Sequence, residues 1–306
     1  VFGNDHLTLR AASTFDDSAG ASLIDRSQLY AQWQRRSSRG FNYNAQLHRV
    51  GSEYRPGLGF LPRENFTRTA LFSEYYILPK GSPFRSHGPG AIAYFFFGNT
   101  DRELETYYLA YWWRYELRSG ASGWLEVIHH HEDVPAAFPL GNGVSVEPGA
   151  HEFSELWFNY APPSGPLLRT GVDARIGGFY DGWRGRVEVT PVWNLSRHLE
   201  VGGSYELNVI RFPDRGVGLD AHVARLRIGA AANARLSATA LLQVNSVTDR
   251  LSTNFRIRYN FREGSDLWLV YDEGFNLDRV AELGMPRLPL SDVRVLRLKL
   301  THTFVP

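Results

Sequence analysis

Arginine is the residue type that offers the most chemistry in this sequence. The chain holds 33 Lys+Arg, and lysine occurs only at Lys80 and Lys299, so almost every basic residue is an arginine. A guanidinium is permanently charged and presents a planar fork of N–H donors that matches a carboxylate or an anionic solute. The first question is therefore which arginines the fold brings to the same surface.

The charged positions that we expect on one face of the fold are spread over more than half of the chain. They are Arg114, Glu116, Arg169, Asp173, Arg175, Arg184, Arg186, Glu188, Glu206, Arg225, Arg227, Arg256, Arg258, Arg297 and Lys299. Two uses stay open, and they are not exclusive. Arginine–carboxylate ladders would brace neighbouring strands, at about 0.2–1 kcal/mol a pair. A positive lining would favour anionic solutes.

Two clusters have residue types that bind metal ions. His129 and His131 lie two residues apart, so a strand places them on one face, near Glu132 and Asp133. The alternative is a solvated strand end without metal.

An acidic segment with Asp16, Asp17 and Asp25 could offer oxygen ligands, but it lacks the regular spacing of a calcium loop. We interpret these aspartates as solvated residues that stabilise turns.

Catalytic signatures are weak. The chain has no cysteine, which excludes disulfides, thiolate zinc sites and thiol nucleophiles. No serine occurs in a nucleophile-elbow pattern. Carboxylate pairs occur, but their separation in space is not visible from the sequence. We predict no cofactor and no catalytic residue. The aromatic residues Tyr108, Trp112 and Trp157 would either stack on sugar rings or fill the interior.

The elements that position these residues alternate between apolar and polar residues with a period of two, which is typical of β-strands. The segment Leu251–Arg262 shows it most plainly. About sixteen strands are predicted in one domain over residues 1–306: 5–14, 27–36, 41–50, 65–77, 92–99, 106–118, 123–131, 153–161, 167–177, 183–194, 200–211, 220–231, 236–246, 250–262, 265–273 and 292–304.

The connections between these strands sort by length. Short ones are predicted at Arg36–Gly40, Ser119–Gly123, Pro162–Gly165, Ser196–His198, Ala232–Leu236 and Glu263–Ser265. Longer ones are predicted at the other end, at Asp16–Asp25, Gly51–Glu64, Glu132–Glu152, Phe212–Leu219 and Asn276–Ser291. Short periplasmic turns and long external loops are typical of outer-membrane barrels. One predicted connection, Pro79–Gly90, is long although it lies at the end where the other connections are short.

The fold class that we predict is all-β: a transmembrane antiparallel up-and-down β-barrel of about 16 strands in the bacterial outer membrane. Most strands reach the length that a tilted strand needs to cross a bilayer. Aromatic residues cluster near strand ends, as interfacial girdles do: Phe41, Tyr43, Phe66, Tyr75, Tyr76, Trp183, Trp193, Tyr259, Phe261 and Phe304. The competing prediction is a soluble β protein that buries its apolar face. No basic-then-apolar signal sequence opens the chain, so we expect a mature protein or a fragment.

The sequence also resembles a family. The stretches that carry the resemblance are Leu241–Gly274, Arg55–Phe66, Gly177–Gly182 and Arg294–Phe304. They are similar to the C-terminal β-barrel region of uncharacterised bacterial outer-membrane proteins that carry a carbohydrate-binding-family-9-like module and a domain of unknown function. The resemblance implies a longer parent chain with upstream barrel strands. It implies no activity and no catalytic residues.

Three functions follow from this architecture, and the first is our leading hypothesis. It is a passive or substrate-selective channel for small solutes, saccharides or anions, with an arginine-rich lumen. The second is a non-conducting anchor or scaffold subunit of a larger outer-membrane assembly. The third is a membrane-embedded hydrolase. The expected partners are outer-membrane lipid and lipopolysaccharide, small anionic or saccharide solutes, and further copies or subunits. A formal net charge of +1 argues against nucleic acid.

Overall fold

The computed structural model describes residues 3–15, 22–57, 59, 61–280 and 286–303. These residues form β-strands and one short 3-10 turn, Pro213–Arg215. The strands are β1 (Asp5–Ser13), β2 (Ser27–Arg35), β3 (Gly40–Val50), β4 (Phe66–Tyr76), β5 (Phe84–Gly98), β6 (Leu104–Leu117), β7 (Ser122–Val134), β8 (Phe138–Gly141), β9 (Val144–Val146), β10 (Gly149–Ala161), β11 (Leu168–Phe179), β12 (Gly182–Ser196), β13 (Leu199–Phe212), β14 (Val217–Ala231), β15 (Leu236–Asn245), β16 (Arg250–Arg262), β17 (Ser265–Asn276) and β18 (Ser291–His302).

Sixteen of these strands form one antiparallel sheet in chain order, and β8 pairs with β9 in a separate two-stranded sheet. The predicted all-β, up-and-down order of about sixteen strands is therefore confirmed. The chain divides into two compact units. The first unit comprises residues 1–139, 145–158 and 176–183, and the second comprises residues 140–144, 159–175 and 184–306.

Each unit has an apolar and a polar face, because successive side chains of a strand point to opposite sides. On β14 the apolar face carries Leu226, which lies opposite Leu242 of β15 in the register. The polar face carries Arg225, which lies opposite Gln243. In the first unit, Trp113 of β6 lies on the apolar face and Trp112 on the polar face, opposite Glu126 of β7. The alternation predicted from the sequence is thus present in the register.

The apolar face is exposed. On β18, the side chains of Leu296, Leu298 and Leu300 have relative exposures of 68%, 71% and 66%. On β1, Leu7 and Leu9 are 67% and 70% exposed. Isolated exposed leucines are common on soluble proteins, but a continuous apolar surface marks contact with a membrane or another protein.

A small buried cluster lies where the connection between β3 and β4 folds back. Val50, Tyr54 and Phe66 are buried together, with Leu61 and Phe96 packed against them. Phe66 was predicted as a girdle residue, and this was wrong, because it lies on the polar face under that connection. Tyr76 also lies on the polar face, where its hydroxyl accepts a hydrogen bond from Arg114.

Most of the other predicted girdle residues are exposed on the apolar face. Those with large exposed side chains are Phe41, Tyr75, Trp183, Trp193, Tyr259 and Phe261. The predicted girdle residue Phe304 lies outside the described residues.

The largest correction concerns β5, which begins at Phe84 rather than at residue 92. Gly88, Pro89 and Gly90 hid the start of this strand, since glycine and proline disfavour strands. Regular pairing with β4 ends at Gly90 and resumes as a bridge between His87 and Ile77. Pro89 therefore lies at an interruption of that ladder, where its missing N–H leaves no gap. The connection before β5 is residues 77–83, so the predicted long Pro79–Gly90 loop was wrong.

Connection lengths sort between the two ends of the strands. At one end they run from two to seven residues, as at 197–198 and 77–83. The four long connections, 14–26, 51–65, 135–148 and 277–290, all lie at the other end. The predicted long loop Phe212–Leu219 was wrong, since only residues 213–216 separate β13 from β14. The predicted Glu132–Glu152 loop is shorter than expected and contains β8 and β9.

No helix within the described ranges is long and apolar enough to cross a membrane.

Replacement of Gly88 by alanine tests the extended β5. A Cβ at this position would overlap the carbonyl oxygen of Tyr75, so the backbone must shift. We expect Gly88→Ala to lower the free energy of unfolding by about 1–3 kcal/mol, measured by urea titration in detergent micelles. Gly229→Ala is the matched control, because a Cβ there meets no atom within 4 Å. Equal effects of the two substitutions would contradict the described β5 geometry.

Candidate functional site

The polar face of the second unit is organised around Arg186 of β12. Its Nη1 lies 2.5 Å from an oxygen of Asp173, and its Nη2 lies 2.8 Å from oxygens of both Glu188 and Glu206. One guanidinium therefore holds three carboxylates from three strands. Arg225 approaches Glu188 from the other side, at 3.6 Å. Five residues of the predicted set thus form one ion-pair network.

The other predicted arginines of this face mostly have carboxylate partners as well. Those partners are Glu200 for Arg169 at 3.6 Å and for Arg227 at 3.5 Å, Asp266 for Arg258 at 2.8 Å, and Asp272 for Arg297 at 3.2 Å. Arg175 and Arg184 are engaged in interactions too. The ladder interpretation is therefore the one that the contacts support for most of these residues.

Three carboxylates that sequence reasoning missed account for this neutralisation. Glu200, Asp266 and Asp272 were absent from the predicted set. Asp266 and Asp272 lie on β17, where Trp268 and Val270 occupy the same polar face between them. The strand therefore reads as a nearly continuous apolar run, which hides its alternation. The register with the clearly alternating β16 gives the phase, since Asp272 lies opposite Asn254.

Arg256 differs from its neighbours. Within the described part of the chain it has no hydrogen bond or ion pair, and neither has Lys299. Arg256 lines a cavity of about 350 Å³ whose lining contains three arginines and no carboxylate. The residues around it are Arg227, Ser237, Ala238, Thr239, Leu241, Asn254, Arg258 and Trp268. We name this set the Arg256 cluster; its N–H and O–H donors suit an anion.

The polar face of the first unit has different chemistry. Glu74 of β4 is 4% exposed and accepts a hydrogen bond from Arg114 Nη1 at 3.0 Å. The same nitrogen donates to the hydroxyl of Tyr76 at 2.9 Å, and the guanidinium lies 4.9 Å from the centre of that ring. Glu116 pairs instead with Arg85 at 2.8 Å. Glu74 was also missed from sequence, because its strand partner Gly90 was assigned to a loop.

Aromatic side chains surround this carboxylate. Glu74, Gly90, Trp112 and Glu126 lie in one row across four neighbouring strands. Beside this row is a cavity of about 440 Å³, lined by Phe72, Glu74, Trp112, Arg114, Tyr115, Ser122, Gly123, Trp124, Glu126 and Trp157. We name it the tryptophan cavity. Tyr108, for which the sequence left sugar stacking and filling of the interior open, is not part of this lining, and its hydroxyl donates to Glu126 at 3.2 Å.

The histidines are placed on β7 as predicted, with His129 and His131 on one face and His130 on the other. His129 Nδ1 lies 2.7 Å from the hydroxyl oxygen of Ser154, and His131 Nδ1 lies 3.4 Å from Glu152. Among the residues that the structure describes, no group of three or more His, Cys, Asp or Glu side chains could hold a metal ion. The two histidines therefore have no third ligand there.

Asp25 has the turn chemistry expected of it. Its carboxylate accepts a hydrogen bond from the Ser22 hydroxyl at 2.6 Å and lies 3.5 Å from Arg49. The Ser22 hydrogen bond, followed by Arg49, lowers the pKa of Asp25 below its ordinary value. Asp16 and Asp17 lie outside the described residues.

Comparison with known proteins adds no assignment. No protein-family model matches the chain. No curated protein matches it. The resemblance noted in the sequence stays a prediction.

Replacement of Arg186 tests its role as the centre of the network. Arg186→Met would leave three carboxylates close together with only Arg225, 3.6 Å from Glu188, to offset them, so we expect a loss of about 1–3 kcal/mol in the free energy of unfolding. Arg256→Met is the matched control on the same face, and we expect a change of at most about 0.5 kcal/mol. Urea titration followed by tryptophan fluorescence measures both. A larger effect at Arg256 than at Arg186 would refute this role.

Proposed function

We propose that the chain forms an outer-membrane β-barrel that conducts small solutes and prefers anions. The observation that carries the proposal is the opposition of the two faces. Large apolar side chains are exposed on one face, while arginines and carboxylates pair on the other. A lipid environment favours this arrangement, since apolar surface in water is unfavourable by about 25 cal/mol per Å² and an arginine facing lipid costs about 2–4 kcal/mol near the midplane.

Two further features support a membrane location. The sheet strands have 9 to 15 residues, and a tilted strand needs about 9–11 residues to cross a bilayer. All four long connections lie at one end of the strands, beside four short ones, and the connections at the other end have only two to seven residues. Long loops confined to one end are typical of bacterial outer-membrane barrels. We infer that this end faces the cell surface.

Closure of the sheet is part of the proposal. β1 and β18 are the first and last strands of the sheet order. In hydrocarbon, each unpaired backbone N–H or C=O costs several kcal/mol, so an open edge is strongly disfavoured there. An even number of antiparallel strands lets β18 pair with β1. A closed barrel of sixteen strands leaves an aqueous channel unless something fills it.

The anion preference rests on the Arg256 cluster. Most arginines of the polar face are neutralised by carboxylates, so their charge contributes little to selectivity. Arg256 has no such partner among the described residues, and the cavity beside it has no carboxylate in its lining. Unpaired positive charge in a water-filled channel with low-dielectric walls attracts anions and repels cations.

Single-channel recording in planar bilayers tests conduction and selectivity together. We expect stable open steps in KCl, and a reversal potential in a KCl gradient that shows chloride preference. Arg256→Gln removes the unpaired charge beside this cavity and should reduce the chloride-to-potassium permeability ratio severalfold. Arg39→Gln is the control, because it removes the same charge from an exposed connection. No current from folded, inserted protein would exclude the channel and favour the scaffold hypothesis.

Cysteine crosslinking tests closure, and the chain has no native cysteine to interfere. Three double-cysteine variants combine a cysteine at Leu9 of β1 with a cysteine at Leu296, Leu298 or Leu300 of β18. All four positions lie on the apolar face. Directly opposed residues in neighbouring strands lie within disulfide reach. We expect one of these pairs to crosslink on oxidation, seen as a gel shift that reductant reverses. The pair of positions 9 and 226 is the control. If it alone crosslinks, or if no β1–β18 pair does, closure between these strands is wrong.

A further inference from the structure

We propose that the tryptophan cavity binds a sugar ring, which makes saccharides a substrate class of the channel. The inference rests on the proposed function for the route by which the ligand arrives. The binding site itself lies wholly within the first unit and has its own observations. They are the packing of the Trp112 indole over Gly90, the mixture of hydrogen-bond donors and acceptors in the lining, and the aromatic pair Trp124 and Trp157 in the same lining.

Trp112 provides a flat surface. A Cβ at Gly90 would overlap Cε2, Cζ2 and Nε1 of the Trp112 indole, so the ring lies directly over this glycine. The indole Nε1–H points towards Glu74 Oε1, at 3.4 Å. The ring is thereby fixed against the sheet with one side covered by β5, and it lines the cavity beside it. Only glycine at position 90 leaves room for the Trp112 indole in this position.

The polar groups around the cavity are of both kinds. Glu74 and Glu126 are hydrogen-bond acceptors, and Arg114 and the Ser122 hydroxyl are donors. Glu74 and Arg114 neutralise each other at 3.0 Å. A sugar ring needs this combination, because each hydroxyl both donates and accepts. Hydrogen bonds from a ligand to charged groups such as Glu126 are stronger than those between neutral groups.

Trp124 and Trp157 form the second aromatic contact, edge to face, with ring centres 5.2 Å apart. Phe72 lies beside Trp112, with ring centres 5.6 Å apart. The C–H groups of a sugar face are weakly positive and pack on the negative face of an aromatic ring. The volume of about 440 Å³ falls within the range of about 300–1,000 Å³ that small-ligand sites occupy.

The same lining disfavours anions, because Glu74 and Arg114 neutralise each other and Glu126 adds a second carboxylate. The Arg256 cluster of the second unit has the opposite composition, with three arginines and no carboxylate. The two cavities therefore suit different ligands, which an experiment can separate.

Isothermal titration calorimetry of the whole folded protein in detergent provides the test, with maltotriose and cellotriose as probes. Choline chloride and sodium phosphate are the cationic and anionic probes. We expect at least one trisaccharide to bind. Trp112→Ala removes the stacking surface, and Gly90→Ala displaces the indole without altering a ligand-facing group. Each substitution should raise the dissociation constant for the trisaccharide at least tenfold.

Trp113→Ala is the matched control, since Trp113 is the next residue of β6 on the opposite face and is 47% exposed. It should leave the dissociation constant within twofold. Circular dichroism and gel mobility confirm that each variant is folded. The proposal is overturned if neither trisaccharide binds, if choline binds instead, or if Trp112→Ala and Gly90→Ala bind as the parent protein does.

The titration also separates this inference from the channel. Trisaccharide binding by a protein that conducts nothing would retain the sugar site and exclude the channel. Conduction without trisaccharide binding would retain the channel and overturn the sugar site. Block of the open channel by the bound trisaccharide, abolished by Trp112→Ala, is the result expected if both proposals hold.

Discussion

The exposed apolar face is the constraint on which the rest of the structure depends. Rows of leucine and aromatic side chains, such as Leu296, Leu298 and Leu300 of β18, are largely exposed on this face. In water such a surface would drive aggregation, whereas in hydrocarbon it is neutral. A medium that accepts this face also forbids unpaired backbone groups and charges within it. Strand length, the position of the long loops and the placement of most arginines on the polar face agree with that requirement; Arg294 lies on the apolar face near a strand end, where it pairs with Glu273.

Charge on the other face follows from the same constraint. Arginines excluded from the apolar face gather on the polar one, where their mutual repulsion must be offset. Arg186 shows how, because it binds Asp173, Glu188 and Glu206 at once. A wall braced in this way has little net charge to attract solutes. In the proposed channel, selectivity would therefore depend on the Arg256 cluster and the tryptophan cavity.

The fold was largely predictable from sequence, and the details of the site were not. Period-two alternation gives the strands, their order and the face of each residue, since side-chain direction is a local property. It failed at Gly88-Pro89-Gly90, where a strand rich in glycine and proline resembles a loop, and on β17, where Trp268 and Val270 obscure the phase. It also misplaced Phe66, which a connection covers. Pairing partners such as Glu74 and Asp266 depend on register between strands, which no single strand reveals.

Spin-label accessibility along β18 in lipid bilayers, one cysteine at a time from position 295 to position 300, tests whether the apolar face meets lipid. A face that meets lipid predicts a period of two. Labels at 296, 298 and 300 should be accessible to oxygen, which concentrates in hydrocarbon, and labels at 295, 297 and 299 to a water-soluble nickel chelate. Accessibility to the nickel chelate at all of these positions would contradict it, because the apolar face would then meet water.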